Sequence, residues 1–170
     1  AQGPYGAGKY TFFSLANNSR VNNADSATSN WDIAFKGQRI IVNSGTSGPG
    51  NGGAFVYING FDAISSVPTD STFRTDNIGT NSYAITYGSG NGWYNYDGPN
   101  NLVTPIPGRT LIIRTANGKY AKLEILNYYR GGTTPSSTAT TEVKAYDSRY
   151  YTFRYTCLLY TSDAADDLLC

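Results

Sequence analysis

Apolar and polar residues alternate most cleanly between Tyr120 and Tyr128, where Ala121, Leu123 and Ile125 are separated by Lys122 and Glu124. A repeat of two predicts a strand with one buried and one solvated face. Upstream, Thr110–Arg114 (TLIIR) predicts its partner. The intervening Thr115–Lys119 contains Asn117-Gly118, a pair suited to the positive φ angles of a type I′ hairpin turn. Near the end, Tyr150–Tyr155 places Tyr151, Phe153 and Tyr155 on one face and Thr152 and Arg154 on the other. The same reasoning predicts strands at Tyr10–Leu15, Trp31–Phe35, Arg39–Val42, Ala54–Ile58 and Gly92–Tyr96. Clusters of Gly, Asn, Ser and Pro separate these runs, and no window carries helical spacing capped at both ends. The pattern predicts an all-β domain of antiparallel sheets with long Gly-rich loops. Asn43–Gly53 reads as one such loop, and Gly131–Thr141 as a mobile connection or a tolerated insertion.

Composition narrows the chemistry. The chain has 170 residues, 39% of them hydrophobic, enough for one domain with its own core. It contains no histidine and no methionine but has 15 tyrosines. The commonest proton shuttle and two usual metal ligands are therefore missing, so binding is a stronger expectation than catalysis. Thirteen basic residues stand against twelve acidic ones, dispersed singly, which argues against nucleic acid or an anionic membrane as main partner. No apolar run reaches the roughly 20 residues of a transmembrane helix. With no methionine even at position 1, any export signal is expected upstream of the residues given.

The composition breaks at Cys157. Residues 157–170 (CLLYTSDAADDLLC) hold both cysteines and three of the ten aspartates. This string resembles a reading frame of the mosaic-end adapter used in transposase-based DNA library preparation; a disulfide between its cysteines is the alternative. The expected organisation is a single β domain over 1–156 followed by a non-native tail over 157–170. Without that tail the balance becomes 13 basic against 9 acidic residues, or +4.

Most chemical motifs fail on their context. Asn51-Gly52-Gly53 and Gly88-Ser89-Gly90-Asn91-Gly92 could cradle an anion, but neither leads into a helix, so turns are expected. Glycoside hydrolysis needs paired acids across a cleft, and the only glutamates are Glu124 and Glu142. Asp32 could be a buried acid, but beside Trp31 packing or a local hydrogen bond is the stronger expectation, and Asn22, Asn23 and Asp25 read as a polar loop rather than a calcium site. Trp93-Tyr94-Asn95-Tyr96 is more suggestive: if extended with Trp93 inward, Tyr94 and Tyr96 face outward together as a stacking wall for a flat ligand.

Several segments, in order, resemble the HmuY family of bacterial haem-binding proteins. They are Asn30–Phe35 (NWDIAF), Val42–Gly45, Gly48–Ala54 (GPGNGGA), Val67–Asp70, Gly92-Trp93 and Asn117–Lys122. The resemblance runs from about Lys9 to Thr156. It implies an all-β fold with finger-like loops gripping haem, a lipoprotein anchored at the outer cell surface or a secreted carrier, a haem-uptake outer-membrane receptor as partner, and no catalysis. Family members ligate iron through histidines or methionines, and neither exists here. The first ligand position falls in a segment shortened around Thr75–Tyr87 and carries over to no residue. The second falls just after Gly92-Trp93, on Asp97 or a gap. Tyrosinate is a known axial ligand of ferric haem, which makes Tyr94 and Tyr96 the candidate iron ligands and Tyr87 a third, with Trp93 and Asp97 beside them. Arg109 or Lys119 is the candidate partner of the propionates. The runner-up reading is a surface adhesion module of the same fold that binds a glycan or protein through its aromatics.

Overall fold

The computed structural model describes residues 8–158. Ten strands form: β1 (Thr11–Ser14), β2 (Ser19–Val21), β3 (Ile33–Lys36), β4 (Arg39–Val42), β5 (Gly53–Ile58), β6 (Tyr94–Asp97), β7 (Leu102–Pro105), β8 (Arg109–Arg114), β9 (Tyr120–Tyr129) and β10 (Ser148–Leu158). One sheet has the order β2-β1-β3-β4, a second β10-β9-β8-β5, and β6 and β7 form a separate hairpin. Every pairing is antiparallel, so the expected all-β class holds.

The two larger sheets share one core. Ile33, Phe35, Ile40 and Val42 from the first join Leu111, Ile113, Leu123 and Ile125 from the second. The residues between them also find apolar partners. Ala34 and Ile41 pack with Phe12, Trp31 and Tyr83, while Phe55 and Ile112 pack with Ile64, Val67 and Leu158. Loops thus cover both outer faces, which is why TLIIR reads as a continuous apolar run and not an alternating one.

This covering corrects the expected solvated face of β9. Lys122 is buried, and its ammonium donates to the carbonyls of Phe61 and Ile64, both at 2.6 Å, under the 3-10 turn Phe61–Ala63. Its charge also lies 4.3 Å from the Phe61 ring centroid. Lys122→Met keeps the stem but strands two carbonyls, and is expected to cost about 1–3 kcal/mol, read from the urea midpoint at constant slope. Glu124, on the same face, pairs instead with Arg154 at 2.7 Å.

The β8–β9 hairpin forms, but with a different turn from the one expected. Gly118 donates to the Thr115 carbonyl and Thr115 to the Lys119 carbonyl, and only Gly118, at φ 86°, has a positive φ. This is a three-residue loop, a turn followed by one left-handed glycine.

A helix is present where none was expected: α1 (Thr141–Asp147), with the Thr140 hydroxyl accepting from Val143 N–H. Its one buried residue is Lys144, so no apolar stripe announced it. Lys144 donates to the carbonyls of Asn100 and Ser137, both at 2.7 Å, fastening the 131–141 segment that read as a mobile connection. Strands β2 and β7 were also unforeseen. The alternation expected over Tyr150–Tyr155 is observed within β10, with Tyr151, Phe153 and Tyr155 packed on the core. Cys157, which is disulfide-bonded, and Leu158 continue β10 opposite Ala121 and Tyr120. The rest of the expected tail lies outside the described residues.

Candidate functional site

The aromatic segment after Gly92 begins as a bend and becomes a strand only at Tyr94. Two-residue alternation therefore does not operate across Trp93 and Tyr94, and both turn inward. Trp93 is buried and its indole N–H donates to the Gln38 carbonyl at 2.9 Å. Tyr94 is 5% exposed and packs 4.9 Å from the Trp93 ring. This corrects the expected outward pair: of the two, only Tyr96, at 48% exposure, faces solvent.

Tyr96 is held from both ends. Its backbone N–H donates to the Ser89 hydroxyl at 2.7 Å, and its phenol donates to Asn101 Oδ1 at 2.8 Å. Asp97 closes the β6–β7 turn, accepting from the Asn100 backbone at 3.3 Å and the Asn100 side-chain amide at 2.7 Å. That is an Asx-type turn role. Tyr87, 43% exposed, lies 6.4 Å from the Tyr94 ring. One accessible phenol thus lies beside buried Tyr94, and a second, Tyr96, follows two residues along β6.

A cation missed in the sequence completes this corner. The Arg39 guanidinium lies 4.6 Å from the Tyr83 ring centroid and 5.0 Å from that of Tyr87, and its buried Nε has no hydrogen-bond partner. The Arg39 charge favours the phenolate of Tyr94. Burial works the other way on Tyr94, whose pKa is pushed up to about 12, with neighbouring Tyr87 raising it further. Behind it, burial also raises Tyr128 and Tyr151. The arrangement therefore offers exposed oxygen donors at Tyr87 and Tyr96 on a wall of buried, neutral aromatics.

The loop before β6 is fixed by close contact. A Cβ on Gly92 would come 2.0 Å from the Thr86 carbonyl oxygen, so the chain can fold back there only with glycine. Arg109 donates to the carbonyls of Gly90, Asn91 and Gly92 at 3.1, 3.2 and 2.9 Å. Its guanidinium is thus committed to the loop and not poised for a propionate. Lys119 lies beyond the opposite end of β8, in the β8–β9 turn.

The family model described as HmuY protein matches residues 7–155. The chain belongs to the HmuY family. No curated protein matches it. The match spans both sheets and the β6–β7 hairpin, and it ends before Cys157. HmuY membership associates the chain with haem binding and with proteins of the cell exterior; among the described residues no helix is long and apolar enough to cross a membrane.

The donor chemistry fits a HmuY ligand only in part. No group of three or more His, Cys, Asp or Glu that could hold a metal occurs among the described residues. Phenol oxygens suit ferric iron, since tyrosinate serves as an axial ligand of haem. Asp32 is buried, and its hydrogen bonds are long-range rather than local as expected: it accepts from Leu15 N–H at 2.8 Å and Ala116 N–H at 2.9 Å, 17 and 84 positions away. Its counterpart Asp76 was not foreseen: it accepts from Val42 N–H at 2.8 Å and Ala84 N–H at 2.7 Å, so fixing the segment that carries Tyr83. Asn22 accepts from Ala24 N–H at the start of a 3-10 turn, as an ordinary polar loop.

Proposed function

We propose that this chain binds haem or a related porphyrin at the corner formed by Tyr87, Tyr94, Tyr96 and Arg39, and hands it to a haem-uptake outer-membrane receptor. The carrier would be secreted or held at the outer cell surface by a lipid anchor upstream. The observation that carries this reading is the HmuY match across residues 7–155. Supporting it, Tyr96 is accessible on β6, next to Asp97, the residue or gap that the resemblance suggests for the family's second ligand. Iron would be held by phenolate oxygen in place of histidine or methionine, with Tyr96 or Tyr87 as ligand and buried Tyr94 as stacking wall. No step of catalysis is part of this function.

Titration of the protein with ferric haemin, recorded by absorbance, tests it. The expected result is a saturable Soret shift with a phenolate-to-iron charge-transfer band. Tyr96→Phe should remove the band and weaken binding on the order of tenfold, with Tyr87→Phe as the comparison if the band persists. A titration indistinguishable from that of a non-binding protein would reject the reading. One observation favours the adhesion-module alternative: the Tyr96 phenol is already engaged by Asn101. A flat titration together with binding to a glycan or protein through Tyr87 and Tyr96 would establish that module instead.

A further inference from the structure

A second concavity, which meets the aromatic wall behind Tyr94 at Tyr151, has no role in the haem reading. It is a cleft of about 850 Å3 between β1–β3 and α1–β10. Its floor is aromatic: Phe13, Phe35, Tyr151 and Phe153 line it. Phe35 stacks on Phe153 at 5.5 Å and 25°, Phe13 meets Phe153 edge-on at 5.4 Å, and Phe35 lies 4.6 Å from Tyr151. The volume falls within the range of small-molecule pockets, far above what a single water or ion requires.

The lip carries charge of one dominant sign. Arg20 pairs with Phe13 in the β1–β2 register, so its side chain emerges on the same face, into the cleft. Among the described residues it has no hydrogen bond or ion pair. Arg149 also lines the cleft, at a φ of 71° that is strained for a residue other than glycine. Its guanidinium is positioned by the Ala145 carbonyl at 2.8 Å and the Ser148 hydroxyl at 3.1 Å. The one acid of the lining, Glu142, sits in the first turn of α1, while Arg149 follows the helix's last turn. An anion is thus favoured at one end of α1 and repelled at the other.

We infer that this cleft is a second ligand site, which takes a flat, fused-ring monocarboxylate with its rings on the Phe35–Phe153 floor and its carboxylate on Arg20 and Arg149. The aromatic floor selects the flat body by stacking, and the guanidinium selects the carboxylate. This site goes beyond the haem reading and does not depend on it.

Fluorescence titration with 1-pyrenecarboxylate, and with neutral 1-pyrenemethanol as its uncharged counterpart, tests the assignment. Saturable binding of the carboxylate is expected, with Arg20→Gln weakening it about tenfold and leaving the alcohol unchanged. Ala145→Trp, which fills the cleft from α1, should abolish pyrene binding and leave the haemin titration as it was. Far-UV circular dichroism and the thermal midpoint check each variant; Thr141→Trp, exposed at the same lip, replaces Ala145→Trp if that protein does not fold. The assignment is overturned if the filled cleft still binds the carboxylate, if Arg20→Gln affects acid and alcohol alike, or if the alcohol binds as tightly as the acid. Loss of haemin binding on filling the cleft would make it the porphyrin's own site and overturn the assignment as well. A wild-type protein that takes pyrenecarboxylate but not haemin would sink the haem proposal alone.

Discussion

Trp93→Ala is expected to lower the unfolding free energy by about 3–5 kcal/mol, the range for deleting a buried tryptophan. Trp93 is 2% exposed and its ring lies 4.9, 5.7 and 5.3 Å from those of Tyr94, Tyr128 and Tyr151. Alanine leaves a void bordered by three large side chains that β6, β9 and β10 hold in place, so collapse into it is hindered. The variant also strands the Gln38 carbonyl that the indole serves. Trp93→Phe separates the two contributions: it retains most of the packing, loses the hydrogen bond, and should cost about half as much or less. Urea midpoints at constant slope decide this, and equal losses for Phe and Ala would show that packing is not the larger part. Tyr94 rests on this ring, so haemin affinity should fall in the Ala variant and survive in the Phe variant.

Asp76→Asn is expected to cost about 2–4 kcal/mol, although it changes only one atom of the side chain. Both carboxylate oxygens accept from buried backbone N–H groups, Val42 on one side and Ala84 on the other. An amide can supply one acceptor, and its NH2 must then face the second N–H, which is left unsatisfied. The segment is tight as well: Asp76 N–H donates to the Ser44 hydroxyl, its carbonyl accepts from Thr46, and a Cβ on Gly45 would come 2.0 Å from that carbonyl oxygen. Little room exists to rearrange. Burial raises the Asp76 pKa, an effect that its backbone hydrogen bonds only partly offset. The folded pKa therefore exceeds the unfolded one. The stability this group contributes is fully present below the ordinary carboxylate pKa and declines as pH rises through the raised folded value. The gap between wild type and Asp76→Asn should accordingly be wider in acid than at neutral pH. Paired denaturation curves at the two pH values measure it, and a gap that narrows in acid would contradict the direction of the shift.

Strands were legible wherever β-branched and aromatic residues recur between Gly, Asn and Ser clusters, and the β8–β9 hairpin was legible from one Asn-Gly pair. Four features were not, each for a physical reason. β2 is a three-residue strand with two exposed residues, too short to show a period. β7 ends at Pro105, a residue that reads as a strand breaker yet is tolerated at the end of a two-stranded hairpin. α1 buries only a lysine, so it lacks the apolar stripe by which helices are recognised. Lys122 looked solvated because its cover, the Phe61–Ala63 turn, comes from some 60 positions earlier in the chain. The same limit applied to the site. Sequence named Tyr87, Tyr94 and Tyr96 but turned Tyr94 the wrong way, because extended geometry begins one residue after Trp93. Arg39 could not be found at all: it reaches Tyr83 and Tyr87 across the fold, and nothing in the local text around it signals aromatic neighbours.

The carboxylate on the Val42 N–H has one more consequence. β4 is the last strand of its sheet, with β3 on one side and no strand on the other. An outer backbone donor on such a strand is a template on which a foreign chain can dock and extend the sheet. Asp76 occupies that donor with a side chain that is itself 1% exposed, so it cannot be peeled off without breaking the Ala84 contact as well. One acid thus stands on an outer donor of β4, where a fifth strand would add.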